Sequence, residues 1–490
     1  MGIHSIIIIQ LISRLKKSGY SITVEEFLEY PVIEDLAEFI KYKSNSQIQS
    51  ESNEEVFLVE QDFENEVVLE EHNYFKEWKY GDVVPLSPNQ YRFFKLPHLK
   101  ATYEFEMSDY REEIFESEFR LFLSKFPMLT VELEEKNGKI FQRYIPSDII
   151  KFKLVIEDLS LKNEDEIRKI GESFSLKSWD FLHDELIRVF IIIDQNKAKI
   201  YLTIPYIFFD TYSDRIFRTE LINFFRGNKR EIDYYHPFTF ISYQMEFLRS
   251  KKGHQERKYW VESLKKIPMI DNAINVSDAV AEPVMLQSTF ISGDNFEKIK
   301  KIATKYSLPI STFFNSFFEM IINDFNCSDK KLYGILIDGR ELEIKKIEVS
   351  KIMGVINNMI PLTYIDYAGF NIDGVIKCYA KYLNARKHQR VPYETICGDL
   401  LKVSGKELNK NLIGYFNFKI LDNFKIIDNS ENIDTTIMNT NPSTYDICLS
   451  CDLHPNGIAI RLFSLNKMYE QNKEALSLKN NIVRFLKILD

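Results

Sequence analysis

Ile200-Tyr201-Leu202-Thr203-Ile204-Pro205-Tyr206-Ile207-Phe208-Phe209-Asp210-Thr211-Tyr212-Ser213 joins an apolar run to a polar helix start. Its first five residues form a short apolar, β-branched run, which reads as a strand, and Pro205 removes a backbone donor where the run ends. Runs of the same kind recur at Leu154–Ile156, Val189–Ile193, Leu332–Ile337, Met359–Tyr364 and Ile458–Phe463, with helical patterns between them. That alternation predicts an α/β chain. With 490 residues it is too long for one simple sheet, and no tandem repeat of about 20–50 residues is present.

The first 43 residues read differently. Ile8, Leu11, Ile12 and Leu15 recur at helical spacing over residues 5–18, and Lys16-Lys17 close the last turn. Thr23-Val24-Glu25-Glu26 is a capping box for a second helix, and a third is expected from Val32 through Leu36, Phe39 and Ile40. Residues 43–54 are polar and non-periodic, as a linker is. The formal net charge of -9 is local: residues 51–82 hold eleven of the 72 acidic residues and two of the 63 basic ones, and the remaining 61 of each sign cancel. Val56, Phe57, Leu58, Val67, Val68 and Leu69 interrupt that acidic run. A solvated spacer is the expected role.

Composition excludes several classes. The absence of a basic surplus argues against a nucleic-acid partner. No apolar run reaches the ~18 residues of a membrane helix, and Met1-Gly2-Ile3-His4-Ser5-Ile6 fits neither a secretory signal nor a myristoylation site, so no membrane partner and a cytoplasmic location are expected. Five cysteines do not make a disulfide framework. Cys448 and Cys451 form a CxxC inside an expected strand, without the second pair zinc requires, and the eight histidines show no ligand spacing, so no metal is expected.

Gly2-Ile3-His4-Ser5-Ile6, followed by an amphipathic helix, resembles the attachment site of acyl and peptidyl carrier domains, and the resemblance continues through residue 40. It implies phosphopantetheine on Ser5, where a helix N-terminus favours a phosphodiester anion. Ser5 as a plain helix cap is the bland alternative. Carrier domains place a helix and a long loop before this serine, whereas here the chain starts four residues upstream of it, so a partial carrier and a poor modification substrate are expected.

Residues 83–480 resemble the condensation domain of nonribosomal peptide synthetases. Five stretches stand in family order: Pro85-Leu86-Ser87-Pro88-Asn89-Gln90; Phe126-Pro127-Met128-Leu129; Phe174-Ser175-Leu176 with Leu186-Ile187-Arg188; Met353-Gly354-Val355-Ile356-Asn357-Asn358; and His388-Gln389-Arg390-Val391-Pro392-Tyr393-Glu394. The resemblance implies two chloramphenicol-acetyltransferase-like lobes in a V, residues 83–265 and 266–490, preceded by the carrier segment 1–43 and the acidic linker 44–82. Carrier domains of the same or a neighbouring synthetase are the implied partners.

The family's His-His-x-x-x-Asp-Gly reads Pro205-Tyr206-x-x-x-Asp210-Thr211 here. Tyr206 takes the place of the catalytic histidine, and a phenol with a pKa of about 10 is no base near neutral pH. Thr211 adds a branched side chain in place of the glycine. The resemblance gives Asp210 a structural role, paired with Arg340 of Asp338-Gly339-Arg340. Asp210 and Ser213 also fit half of the heterocyclisation variant, which Pro205 breaks. Amide-bond formation between carrier-bound thioesters is therefore the family activity, expected to be impaired or lost; a non-catalytic module that docks carriers or recruits an enzyme, and a decayed gene product, are the other readings.

Overall fold

The computed structural model describes residues 37, 39–41 and 77–488, except 109, 147–148, 151, 159–163, 195–196, 226–233, 270–283, 325–329, 343, 345–346, 365–370 and 421–444. The helices expected over 5–18 and from Thr23, the site at Ser5 and the linker up to residue 76 lie outside the described residues; of the third helix, residues 37 and 39–41 are helical.

The fold is mixed α/β. Strands β2 (Lys100–Ser108), β7 (Lys197–Pro205), β6 (Ile187–Asp194) and β5 (Phe152–Asp158) form a four-stranded sheet in that order. β1 (Val83–Pro85), β4 (Lys139–Tyr144) and β3 (Val131–Lys136) form a three-stranded one. A six-stranded sheet runs β10 (Asn358–Thr363), β9 (Leu332–Ile337), β11 (Leu412–Ile420), β12 (Ile447–His454), β13 (Gly457–Leu465), β8 (Val284–Ser292). All six β-branched runs fall on strands, β10 stopping one residue short of Tyr364. Cys448 and Cys451 lie buried in β12 as free thiols.

Two cores follow from the sheets. Tyr103, Phe119, Phe122, Phe126 and Phe217 bury against the four-stranded sheet, and Phe313, Phe317, Ile321, Tyr333 and Ile447 against the six-stranded one. The helix Phe238–Arg249 passes between them: Phe238 and Ile241 belong to the first core, Phe247 and Leu248 to the second. Trp260 and Leu264 of the next helix, Lys251–Leu264, also bury in the second core. Packing thus changes core ahead of the 265/266 division read from the sequence.

The end of the acidic segment is anchored to the body. Trp78 Nε1 donates to Thr239 Oγ1 at 3.0 Å, and Gly81 N donates to Tyr144 O at 2.8 Å. His236 sits among the Trp78, Tyr144 and Phe238 rings. Burial pushes its imidazole down to about 3, against a weaker upward pull from Asp82. Because the unfolded chain protonates His236 near the ordinary ~6.5 while the folded one resists to about pH 3, this group costs stability progressively as pH falls through that window. His236→Phe, which keeps the ring packing, is expected to flatten the acid limb of a stability-versus-pH curve; an unchanged limb would refute the assignment.

Candidate active site between the lobes

β7 carries Ile200–Pro205 and leads directly into the turn before Asp210. The strand ends at Pro205, and Tyr206 opens that turn. Pro205 pairs with Lys100 of β2. Tyr206 lies on the side of Tyr103 and the helix Thr211–Phe225. Its backbone N–H donates to Leu99 O at 3.0 Å, and its half-buried ring meets the edge of Phe93, centroids 6.3 Å apart. Burial, then the Asp214 carboxylate, raises the Tyr206 hydroxyl above the ordinary phenol range, with Arg218 opposing. It therefore stays protonated and cannot accept a proton near neutral pH. Thr211 opens the helix Thr211–Phe225 with its side chain exposed.

Asp210 does different work. Its Oδ2 accepts from Arg340 Nη1 at 2.7 Å and from the backbone N–H groups of Ile356 and Asn357 at 3.0 Å, and its Oδ1 accepts from Ser213 N at 3.0 Å. The side chains of Asp210 and Arg340 are 1% and 4% exposed. Burial alone would push this carboxyl up; the Arg340 charge and hydrogen bond, with the backbone donors, outweigh it and hold the group below its ordinary range. Arg340 reaches this position because Gly339 adopts φ +78°, in the left-handed region, where a Cβ would stand 2.5 Å from Ile356 O. Its guanidinium also bonds Asp338 Oδ1 at 2.7 Å and lies 4.2 Å from the Tyr212 ring centroid.

Ser213 completes the join. Its Oγ accepts from Gly354 N at 2.9 Å and from Arg340 Nη2 at 2.9 Å, and donates to Gly354 O at 3.1 Å. The sequence reading noted Ser213 only as a spacing match; the hydroxyl two residues behind Thr211 was the available signal. Of the other family stretches, Asn89 reaches across the same seam and the rest brace their own side of it. Ser87 and Gln90 form a capping box on the helix Pro88–Phe94, Gln90 Nε2 donates to Ile207 O at 3.1 Å, and Asn89 Nδ2 donates to Asn357 O at 2.7 Å. Asn358 Nδ2 donates to Gln389 O and Val391 O, tying Met353–Asn358 to the His388–Glu394 segment. Phe126 is fully buried against Phe122 and Phe217. Arg188 is buried and donates to Lys177 O at 2.6 Å and Asp184 Oδ2 at 2.9 Å.

The family model for the condensation domain matches residues 81–484. The chain belongs to the condensation domain family. The model for the phosphopantetheine attachment site matches residues 1–40, the segment that contains Ser5. Bacitracin synthase 3 of Bacillus licheniformis is 23% identical over 382 residues, 74% of this chain and 6% of that protein. FR901469 synthetase of Dothideomycetidae sp. (strain 11243) is 26% identical over 224 residues, 44% of this chain and 1% of that protein. The chain thus spans a few per cent of these curated relatives. Among solved structures, the epimerization domain from the third module of tyrocidine synthetase B superposes with a TM-score of 0.65 at 13% identity, covering 84% of this chain and 98% of that one. The complex of the X-domain and OxyB from teicoplanin biosynthesis gives 0.64 at 12% identity, covering 84% and 93%.

The attachment-site match over residues 1–40 implies a phosphopantetheine group on this segment, and of its residues only 37, 39 and 40 are among those described. Among the described residues no group of three or more His, Cys, Asp or Glu could hold a metal ion, and no helix is long and apolar enough to cross a membrane.

Proposed function

We propose that this chain is a carrier-plus-condensation fragment of nonribosomal peptide assembly that receives carrier-tethered acyl groups between its lobes without the imidazole-based amide formation of its family. The observation that carries this reading is Tyr206: a raised phenol stands where a base near neutral pH is needed. The Asp210–Arg340–Ser213 join, which shapes the site rather than doing chemistry, is intact around it. Its partners are carrier domains of the same or a neighbouring synthetase, its place of work is the cytoplasm, and Ser5 is the attachment residue of the carrier segment. A domain of this fold recorded in complex with another protein, the X-domain with OxyB, supports a role in holding or recruiting.

The test combines two measurements on the full chain. Donor and acceptor carriers loaded with aminoacyl thioesters are expected to form amide no faster with the chain than without it, while a loaded carrier binds saturably. Amide formation at a rate that tracks the concentration of the chain would overturn the reading.

A further inference from the structure

A second concentration of charge stands on the face of the six-stranded sheet that looks toward the helix Thr211–Phe225. On β11, Phe416 and Phe418 pack against Phe314 and Phe318, so alternation turns Tyr415, Asn417 and Lys419 to the other face. Parallel pairing sets Lys419 beside Asp452 of β12, whose Oδ2 is bound by Arg461 of β13. From the first lobe, Asp214 and Arg218 of the helix Thr211–Phe225 act electrostatically on the same amine. Those two pair at 3.1 Å, and Tyr103 Oη donates to Asp214 Oδ1 at 2.5 Å.

One buried atom in this cluster is left for something else. Asp452 is 6% exposed, yet its Oδ1 has no hydrogen-bond partner. A buried carboxylate oxygen without a donor is costly, and such atoms mark places where a further group is to be met. The Lys419 side chain is half-buried on the adjacent strand, in register with Asp452. A purely structural lysine here would have closed on Asp452; Arg461 occupies that role. Burial holds the Lys419 ammonium below the ordinary lysine range, with Arg461 and Arg218 pushing the same way and Asp452 and Asp214 opposing. A larger fraction is therefore the neutral, nucleophilic amine.

We infer that Lys419 is an acylation site, whose amine takes the acyl group from a pantetheine thioester delivered to the cleft. This rests on the reading that such thioesters reach the cleft. In the step, the neutral amine attacks the thioester carbonyl carbon; the C–N bond forms and the C–S bond breaks. The nitrogen gives up one proton through Asp452 Oδ1 to the departing sulfur, so the products are an amide on Lys419 and a free thiol. No oxidant or further reactant is required.

The wild-type full chain is incubated with octanoyl-N-acetylcysteamine thioester, digested and mapped by tandem mass spectrometry. Lys419 is expected to gain one octanoyl group severalfold faster than the exposed Lys251 and Lys301, since the lowered ammonium leaves a larger neutral, nucleophilic fraction. Lys419→Arg is expected to remove that adduct and Asp452→Asn to slow it about tenfold. An unmodified Lys419, or one labelled no faster than the exposed lysines, overturns the proposal. A carrier loaded with a non-transferable octanoyl amide separates the two readings. Carrier binding without any Lys419 adduct sinks the acylation alone, whereas labelling by the free thioester without carrier binding sinks the docking reading and leaves the acylation standing.

Discussion

Asp210→Ala is expected to lower the stability of the folded chain by about 3–5 kcal/mol, the usual cost of removing one partner of a buried ion pair. The variant leaves the Arg340 guanidinium, 4% exposed, with only the half-exposed Asp338 as a charged partner. It also strips acceptors from the backbone N–H groups of Ser213, Ile356 and Asn357 in one change. Arg340→Ala should cost less, because those three donors still satisfy the carboxylate. Asp338→Ala should cost about 1 kcal/mol or less, since that partner is solvent-screened. Urea midpoints at constant m-value read all three. The sign with pH is fixed by the lowered carboxyl of Asp210: its contribution is fully present above the ordinary unfolded value of about 4 and is lost as pH falls through the lower folded value. A loss under about 1 kcal/mol for Asp210→Ala would show that the join does not hold the lobes.

The second large effect is a gain. The triple change Pro205→His, Tyr206→His, Thr211→Gly is expected to raise amide formation between two loaded carriers by about 10²–10⁴-fold, the range that a positioned general base supplies. The surroundings allow it. The backbone bond from residue 206 to Leu99 O survives substitution, and an imidazole is smaller than the half-buried phenol it replaces. Thr211 is exposed at the start of its helix, so the glycine costs about 1 kcal/mol at most. Asp210, Ser213 and Arg340 are untouched. A folded triple variant that binds carriers and forms no more amide than the wild type would place the defect elsewhere in the cleft.

How much of this was legible in the sequence depended on the kind of signal. Apolar β-branched runs such as Leu332–Ile337 showed themselves because both faces of their sheet are covered. The strand Lys100–Ser108 was passed over although Ala101, Tyr103 and Phe105 alternate with Lys100, Thr102 and Glu104; half its residues are polar and face away from the core. The resemblance named Asp210 and Arg340 together, and these side chains lie 2.7 Å apart. It said nothing of Lys419, Asp452 and Arg461. They come from three strands joined only by pairing register, and no local pattern links them. The polar face of β11, Tyr415, Asn417 and Lys419 against Phe416 and Phe418, was the one readable hint.

The pairing of β8 with β13 has a consequence for synthesis on the ribosome. Val284–Ser292 is the first strand of the six-stranded sheet, yet its partner Gly457–Leu465 is the last described strand to be made. Until then β8 has no neighbour in the sheet, and Met285, Leu286, Phe290 and Ile291 wait with open backbone donors and acceptors. Such long-range closure is slow and exposes apolar surface to other chains. Nascent chains arrested before Leu465 should therefore accumulate as holdase clients or aggregates, while the first lobe, whose strands close by Pro205, is already protease-resistant.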